Sequence, residues 1–223
     1  MKPLVIIPVH NEERLLPAVL ESILKLDFFD VLVVDDGSTD NTLDLVSKFP
    51  VAVLENKTNV GKGAALRQGF NYALSNGYSD IITADGDGQH RAEDLLAVYN
   101  ASLDGSADIV IGNRMHNPIG MPKIRVLTNR FISSVLSSIA NTDIPDTQCG
   151  LKLIKSNVIK DLNISTDKFE VESEILLNTI NKGYNIRSVD ITSVYIEGRK
   201  SHIRPFRDTL RFLVYILRNL FNR

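Results

Sequence analysis

LVIIPVHNEERLLPAVLESILKLDFFDVLVVDD, residues 4–36, decides the fold class. Residues 4–9 (LVIIPV) and 30–36 (DVLVVDD) are short, nearly continuous apolar runs, the pattern of strands covered on both faces. Between them, residues 11–26 place Leu15, Leu16, Val19, Leu20, Ile23 and Leu24 at helical spacing. Two such strands joined through a helix make a parallel pair. The alternation continues. Strands are expected at 51–56, 80–85 and 108–114, a short helix after GSTDNT, and helices at 61–77 and 91–105, with Gly77 closing the former. The expected class is α/β, a mostly parallel sheet with helices on both faces.

The second half is less regular. It predicts a helix over 121–141, a strand over 147–155, a helix over 169–183 and a strand over 185–196. The expected organisation is one domain over 1–203 with a basic amphipathic helix appended over 204–223. In RPFRDTLRFLVYILRNLFNR, Arg204, Arg207, Arg211 and Arg218 fall near one face and apolar residues take much of the rest. That pattern suits a helix lying in an anionic membrane interface; one packed on protein is the alternative.

Composition bounds the function. The chain has 223 residues, 43% hydrophobic and 23% charged, as in ordinary globular proteins, and a net charge of -2 that argues against nucleic acid as a partner. Cys149 is the one cysteine, so neither an internal disulfide nor a cysteine zinc site is expected. The opening apolar run is too short for a signal peptide, and no run approaches the ~18 residues of a membrane span. A cytoplasmic protein is expected, with peripheral attachment at the cytoplasmic membrane face as the extension; a homo-oligomer is left open.

Sheets of this kind bind ligands beyond the carboxyl ends of their strands. Pro8, His10, Asn11 and Glu12 follow the first strand, Asp35 and Asp36 end the second, Asp85 and Asp87 the fourth, and Asn113 and Arg114 the fifth. DGDGQH (85–90) sets two carboxylates one residue apart. Like charges so placed need a proton or a cation. Mg²⁺ or Mn²⁺ accepts a few carboxylate oxygens and completes its shell with water and phosphate. Gly86 and Gly88 would let the backbone approach a ligand, while Gln89 and His90 offer further contacts. An EF-hand is excluded because His90 and Leu96 stand where Gly and Glu are needed. Gly61, Gly63 and Gly69 have the wrong spacing for a dinucleotide fingerprint. A solvated turn or a helix N-cap at Asp87 or His90 stays open.

Taken in order, VIIPVHNEE, VVDDGSTDNT, NVGKGAALRQG, DGDGQH and GNR resemble the family 2 glycosyltransferases of GT-A fold (Rossmann-like), in particular the dolichyl-phosphate mannose synthases and polyprenyl-phosphate glycosyltransferases. The match is strong over residues 3–115 and weaker over TQCGLKLI and FEVESEIL. The resemblance implies that Pro8, His10, Asn11 and Glu12 line the nucleotide pocket. Asp36 would meet the base with Asp35 supporting its loop, and Gly61 and Lys62 would lie beside base and diphosphate. Asp85 and Gly86 would sit on the ribose and metal side, Asp85 and Asp87 would ligate Mg²⁺ or Mn²⁺ with Gln89 assisting, and Arg114 would meet phosphates.

The reaction implied is inverting transfer of a sugar from a GDP- or UDP-linked donor. A lipid phosphate acceptor needs cations rather than a base: Arg114 and Arg125, with Arg199, Lys200 and His202, are the candidates. A hydroxyl acceptor would need a base, for which Asp146 is the carboxylate to test. A sugar-phosphate nucleotidyltransferase is less favoured, since PVHNEE is not its glycine-rich loop; a non-catalytic nucleotide-binding module is the last alternative.

Overall fold

The structure is a computed structural model, and it describes residues 2–168 and 170–192. Seven strands form one sheet in the order β3-β2-β1-β4-β6-β5-β7. They are β1 (Leu4–Val9), β2 (Asp30–Asp35), β3 (Ala52–Glu55), β4 (Asp80–Thr83), β5 (Ile109–Asn113), β6 (Lys152–Lys155) and β7 (Ile186–Asp190). The helices are α1 (Leu16–Leu24), α2 (Thr42–Val46), α3 (Lys62–Ser75), α4 (Ala92–Asn100), α5 (Lys123–Ala140), α6 (Ser156–Asp161) and α7 (Val171–Asn181).

All pairings are parallel except those of β6, which runs antiparallel to both β4 and β5. This strand explains how the site is assembled. Because β6 is reversed, its beginning, not its end, lies at the rim where β1, β2, β4 and β5 finish. Residues 146–151 are thereby delivered into the site.

β1 is the centre of the core. Leu4, Val5, Ile6 and Ile7 are fully buried, as a strand covered on both faces requires. On the Ile6 face, α3 comes so near that a side chain at Gly69 would strike Ile6. On the other face, Val9, Ile7 and Leu16 of α1 surround Gly86.

The elements depart from expectation in particular ways. The first helix starts at Leu16 rather than residue 11. Residues 11–14 form a turn instead: Asn11 has a left-handed φ of 57°, and the backbone N–H groups of Asn11, Glu12 and Glu13 donate to Ser38, Thr42 and Asp40. The sixth strand starts at Lys152 instead of 147, since the residues before it turn around Arg114. Helix α6 was not anticipated. Of the expected strand over 185–196, residues 186–190 are strand, and 193–196 lie outside the described residues. The domain boundary at 203 and the helix over 204–223 lie outside the described residues.

Candidate active site

The start of α3 is held from two sides. Asp36, buried just past β2, accepts the backbone N–H groups of Val60 (3.0 Å) and Gly61 (2.7 Å) and the amide of Asn56 (2.9 Å). From the other side, the carbonyl of Asp167 accepts the Gly63 N–H (2.8 Å), and Arg67 of α3 donates to the Thr166 carbonyl (2.9 Å). That loop is itself pinned by Glu174 of α7, whose oxygens accept the backbone N–H and hydroxyl of both Ser165 and Thr166 at 2.6–2.9 Å. Gly61 and Gly63 are glycines because the 166–167 backbone presses on them: a Cβ at either would overlap a carbonyl oxygen, and Gly61 has a φ of 106°.

Lys62 is fixed between them. Its ammonium lies 2.6 Å from Asp85 Oδ1 and 2.6 Å from Glu172 Oε1. The other oxygen of Glu172 pairs with the fully buried Lys152 of β6. The result is an alternating row, Asp85–Lys62–Glu172–Lys152, with two charges of each sign. Burial alone would lower the pKa of Lys62, but Asp85 and Glu172 push it above the ordinary lysine range. Burial would raise both carboxyls. Against it, Lys62 and then His90 hold Asp85 well below the usual range, and Lys152 and then Lys62 hold Glu172 below it.

Asp85 and Asp87 therefore face different environments. Asp85 turns inward to Lys62, and its carboxylate fills the space a side chain would occupy at Gly150. His90 Nε2 stands 3.8 Å from Asp85, beyond hydrogen-bond length, and among the described residues neither ring nitrogen has a hydrogen-bond partner. Asp87 is half-buried, and its carboxylate accepts the Gln89 N–H (3.0 Å) across a turn in which Gly88 has a φ of 72°. Gln89 is buried beside it. Gly86 is explained by the core: a Cβ there would lie 2.7 Å from Val9 and 3.3 Å from Ile7.

A second buried pair stands at the end of β5. Arg114 donates to Asp146 through its backbone N–H (3.1 Å), Nε (2.7 Å) and Nη2 (2.9 Å). Both side chains are essentially inaccessible. Cys149 packs behind this pair; burial first, with Asp146 adding to it and Arg114 opposing, pushes its thiol up to about 12.

The remaining candidates line the β1–β2 end of the rim. Pro8 is half-buried in β1 opposite Val34. His10 Nδ1 lies 3.0 Å from the Asp36 carbonyl. The Asn11 side chain accepts the Thr39 N–H (2.8 Å), and Glu12 is half-buried with its backbone tied to Thr42. Asp35 accepts the Ser38 N–H (3.1 Å) and hydroxyl, closing the β2 turn. Arg125 is half-buried on α5. Arg199, Lys200 and His202 lie outside the described residues.

The structure thus brings Asp36, Gly61, Lys62, Asp85, Asp87 and Gln89 into one region, and Arg114 and Asp146 into a pair. Sequence reading missed Glu172 and Lys152. Their signal was available only as two charges in segments otherwise apolar enough to be core, KLIK and VESEIL.

Residues 4–162 match the family described as Glycosyl transferase family 2, and the chain belongs to that family. It is a glycosyltransferase on a GT-A architecture. It is 27% identical to a UDP-N-acetylglucosamine–dolichyl-phosphate N-acetylglucosaminyltransferase of Methanococcus voltae, over 86% of this chain and 85% of the relative. It is 29% identical to a polyprenol monophosphomannose synthase of Mycolicibacterium smegmatis, over 86% of this chain and 77% of that one. In fold it is similar to glucosyl-3-phosphoglycerate synthase from Mycobacterium tuberculosis, solved with Mn²⁺, UDP and glucosyl-3-phosphoglycerate. The TM-score is 0.75 at 18% identity, covering 97% of this chain and 78% of that one.

Proposed function

We propose that this chain moves a sugar from a nucleoside diphosphate to a polyprenyl phosphate, with inversion and with a divalent metal. The observation that carries the acceptor choice is the Arg114–Asp146 pair. Asp146 is the carboxylate a hydroxyl acceptor would call on as base. Its oxygens already accept three N–H groups of Arg114, and its side chain is fully buried. A hydroxyl could reach it only by opening that pair. A phosphate acceptor needs no such base, being anionic already. It needs cations held at the rim: Arg125, half-buried on α5, is placed to serve, whereas Arg114 could reach an acceptor only by opening its pair with Asp146. The two named relatives above act, by their names, on dolichyl or polyprenol carriers, which agrees with this reading.

The donor set suits a hard cation. Asp87 supplies a half-buried carboxylate and Gln89 an amide oxygen, leaving positions for water and phosphate oxygens, as Mg²⁺ and Mn²⁺ prefer. When bound there, such an ion would offset the charge that develops on a departing diphosphate. Asp85 is proposed to act one step back. Lys62 holds it in its charged form, and the clamp around α3 fixes Lys62, so the position of this carboxylate is set before donor binds. The turns carrying His10, Asn11, Glu12, Asp35 and Asp36 are tied to one another and form the proposed wall of the nucleotide pocket.

The test is transfer from radiolabelled UDP-N-acetylglucosamine, UDP-glucose and GDP-mannose, with Mn²⁺, to undecaprenyl phosphate, to undecaprenol and to free sugars. Product on the phosphate alone is expected. Transfer to a hydroxyl acceptor with none to the phosphate would overturn the acceptor assignment.

A further inference from the structure

Strands β5 and β7 end side by side, with Asn113 and Asp190 as register partners. Asp190 is engaged through both oxygens. Its Oδ1 accepts the Asn113 amide (2.7 Å), and its Oδ2 lies 3.3 Å from Nδ1 of His116. Asn113 in turn accepts the Met115 N–H with its side-chain oxygen (3.0 Å). The turn from Asn113 to His116 therefore closes over one carboxylate and sets the imidazole beside it. Neither His116 nor Asp190 belongs to the Asp85–Lys62–Glu172–Lys152 row or to the Arg114–Asp146 pair.

This dyad stands at the rim. Thr192, two residues past Asp190, donates its N–H to Asp94 (3.1 Å) near the start of α4, the helix that follows directly on the 85–90 turn. His116 is two residues past Arg114. Both members are open to solvent, with 67% and 55% of their side chains exposed. An exposed pair contributes little to stability; what it does here is place a charge. With Nδ1 turned to the carboxylate, Nε2 lies on the far edge of the ring, open to a ligand. On the elements around it, Arg114 is turned to Asp146, and the oxygens of Asp94 accept the N–H groups of Arg91 and Thr192. Residues 109–142 contain no Asp or Glu, so no carboxylate of this segment opposes an anion.

A phosphate arriving at this end of the rim meets an arginine already committed. Arg114 is inaccessible behind its three bonds to Asp146, whereas His116 is the next basic side chain along the turn and is exposed. We propose that His116, oriented by Asp190, binds the phosphate of the acceptor: Nε2–H of the imidazolium donates to a phosphate oxygen while Asp190 accepts from Nδ1–H. The order carboxylate, imidazolium, phosphate alternates in sign, and a charge-assisted bond of this kind is stronger than a neutral one. This rests on the lipid-phosphate reading and adds a binding residue to it. The sign of the pH dependence follows. The imidazolium is present at low pH and lost as the pH rises, so the contribution of His116 is full on the acid side and fades on the alkaline side. An arginine in its place would stay charged throughout.

The experiment uses the full chain, its His116→Asn, His116→Arg and Asp190→Asn variants, and a short water-soluble prenyl phosphate. KM for this acceptor, KM for donor and the thermal midpoint are measured from about pH 6 to about pH 8.5. The ratio of variant to wild type at each pH cancels the titration of the acceptor itself. His116→Asn should raise the acceptor KM about tenfold at the acid end, with donor KM and midpoint unchanged, and the ratio should approach one at the alkaline end. His116→Arg should keep the low acceptor KM across the range, a rescue that a structural role would not give. Asp190→Asn should raise the acceptor KM as well, but add nothing once His116 is Asn, because it acts through the ring. In parallel, the His116 ring-proton resonance, identified by its loss in His116→Asn, is followed by NMR as the prenyl phosphate is added. An unchanged acceptor KM in His116→Asn at the acid end, or a ratio that is the same at every pH, would overturn the proposal. Additive effects of the two asparagine substitutions would remove Asp190 from it. A resonance that moves with the prenyl phosphate, with no sugar transferred to it, would uphold this site and sink the acceptor assignment. Transfer to the prenyl phosphate with a resonance that stays in place would do the reverse.

Discussion

Two helices begin at the rim with a lysine, and they begin in opposite ways. At α3, Lys62 is fixed by two carboxylates, its flanking glycines are pressed by a neighbouring loop, and Asp36 holds the approach from behind. At α5, Lys123 is exposed, the next five residues are at most half-buried, and Ile124, Leu127 and Phe131 are exposed. The first helix start is over-determined and the second is under-determined by the domain itself. A donor is a small, highly charged molecule whose transfer needs charges fixed in advance. A carrier lipid is long and apolar and stays in its own phase, so the surface that meets it has reason to remain uncovered by protein. On the proposed lipid-phosphate reading, the contrast divides the rim into a donor side built inward and an acceptor side built outward.

Substitutions on the two sides should separate accordingly. The largest effect on folding is expected from Lys152→Met, which leaves Glu172 with half its compensation in a buried setting. A loss of about 3 kcal/mol is expected by denaturant unfolding. A loss below the scatter of surface mutants would mean that the charge row is not structural. Asp36→Ala removes the acceptor of two backbone N–H groups and one amide. It should cost about 1–3 kcal/mol and raise the KM for donor more than it lowers kcat, because the loop it holds borders the proposed nucleotide pocket. Cys149 sharpens the comparison from behind the Arg114–Asp146 pair. With its thiol raised to about 12, it should resist alkylation at pH 8 in the native protein and react once unfolded. Reaction at the rate of a free thiol would show that the pair opens readily. Leu127→Ser should change stability by no more than about 0.5 kcal/mol; a larger loss would place α5 among the built-in elements and erase the contrast.

Much of this was legible in the residues. The apolar runs 4–9 and 30–36 and the helical spacing between them define strands and crossover locally, and the acidic and amide groups at strand ends follow from where such sheets end. Three things were not legible. The reversed direction of β6 depends on which neighbours it pairs with, and KLIK has no feature that tells a parallel from an antiparallel partner. The different environments of Asp85 and Asp87 depend on Lys62, twenty-three residues away, and on Glu172, farther still. Asp36 reads in sequence like a ligand contact, yet its oxygens are taken up by the 56–61 loop, a fact written only in the distances. Local pattern thus gave the residue types at the strand ends, while long-range charge pairing set the different surroundings of the two carboxylates.

The most direct test is thermal stabilisation of the full chain by UDP and by GDP, each with and without Mn²⁺, in the wild type and in Asp87→Ala. The account predicts that one nucleotide stabilises strongly only when Mn²⁺ is present, and that Asp87→Ala loses this metal-dependent part while keeping its fold. Equal stabilisation without metal, or full metal-dependent stabilisation in Asp87→Ala, would contradict it.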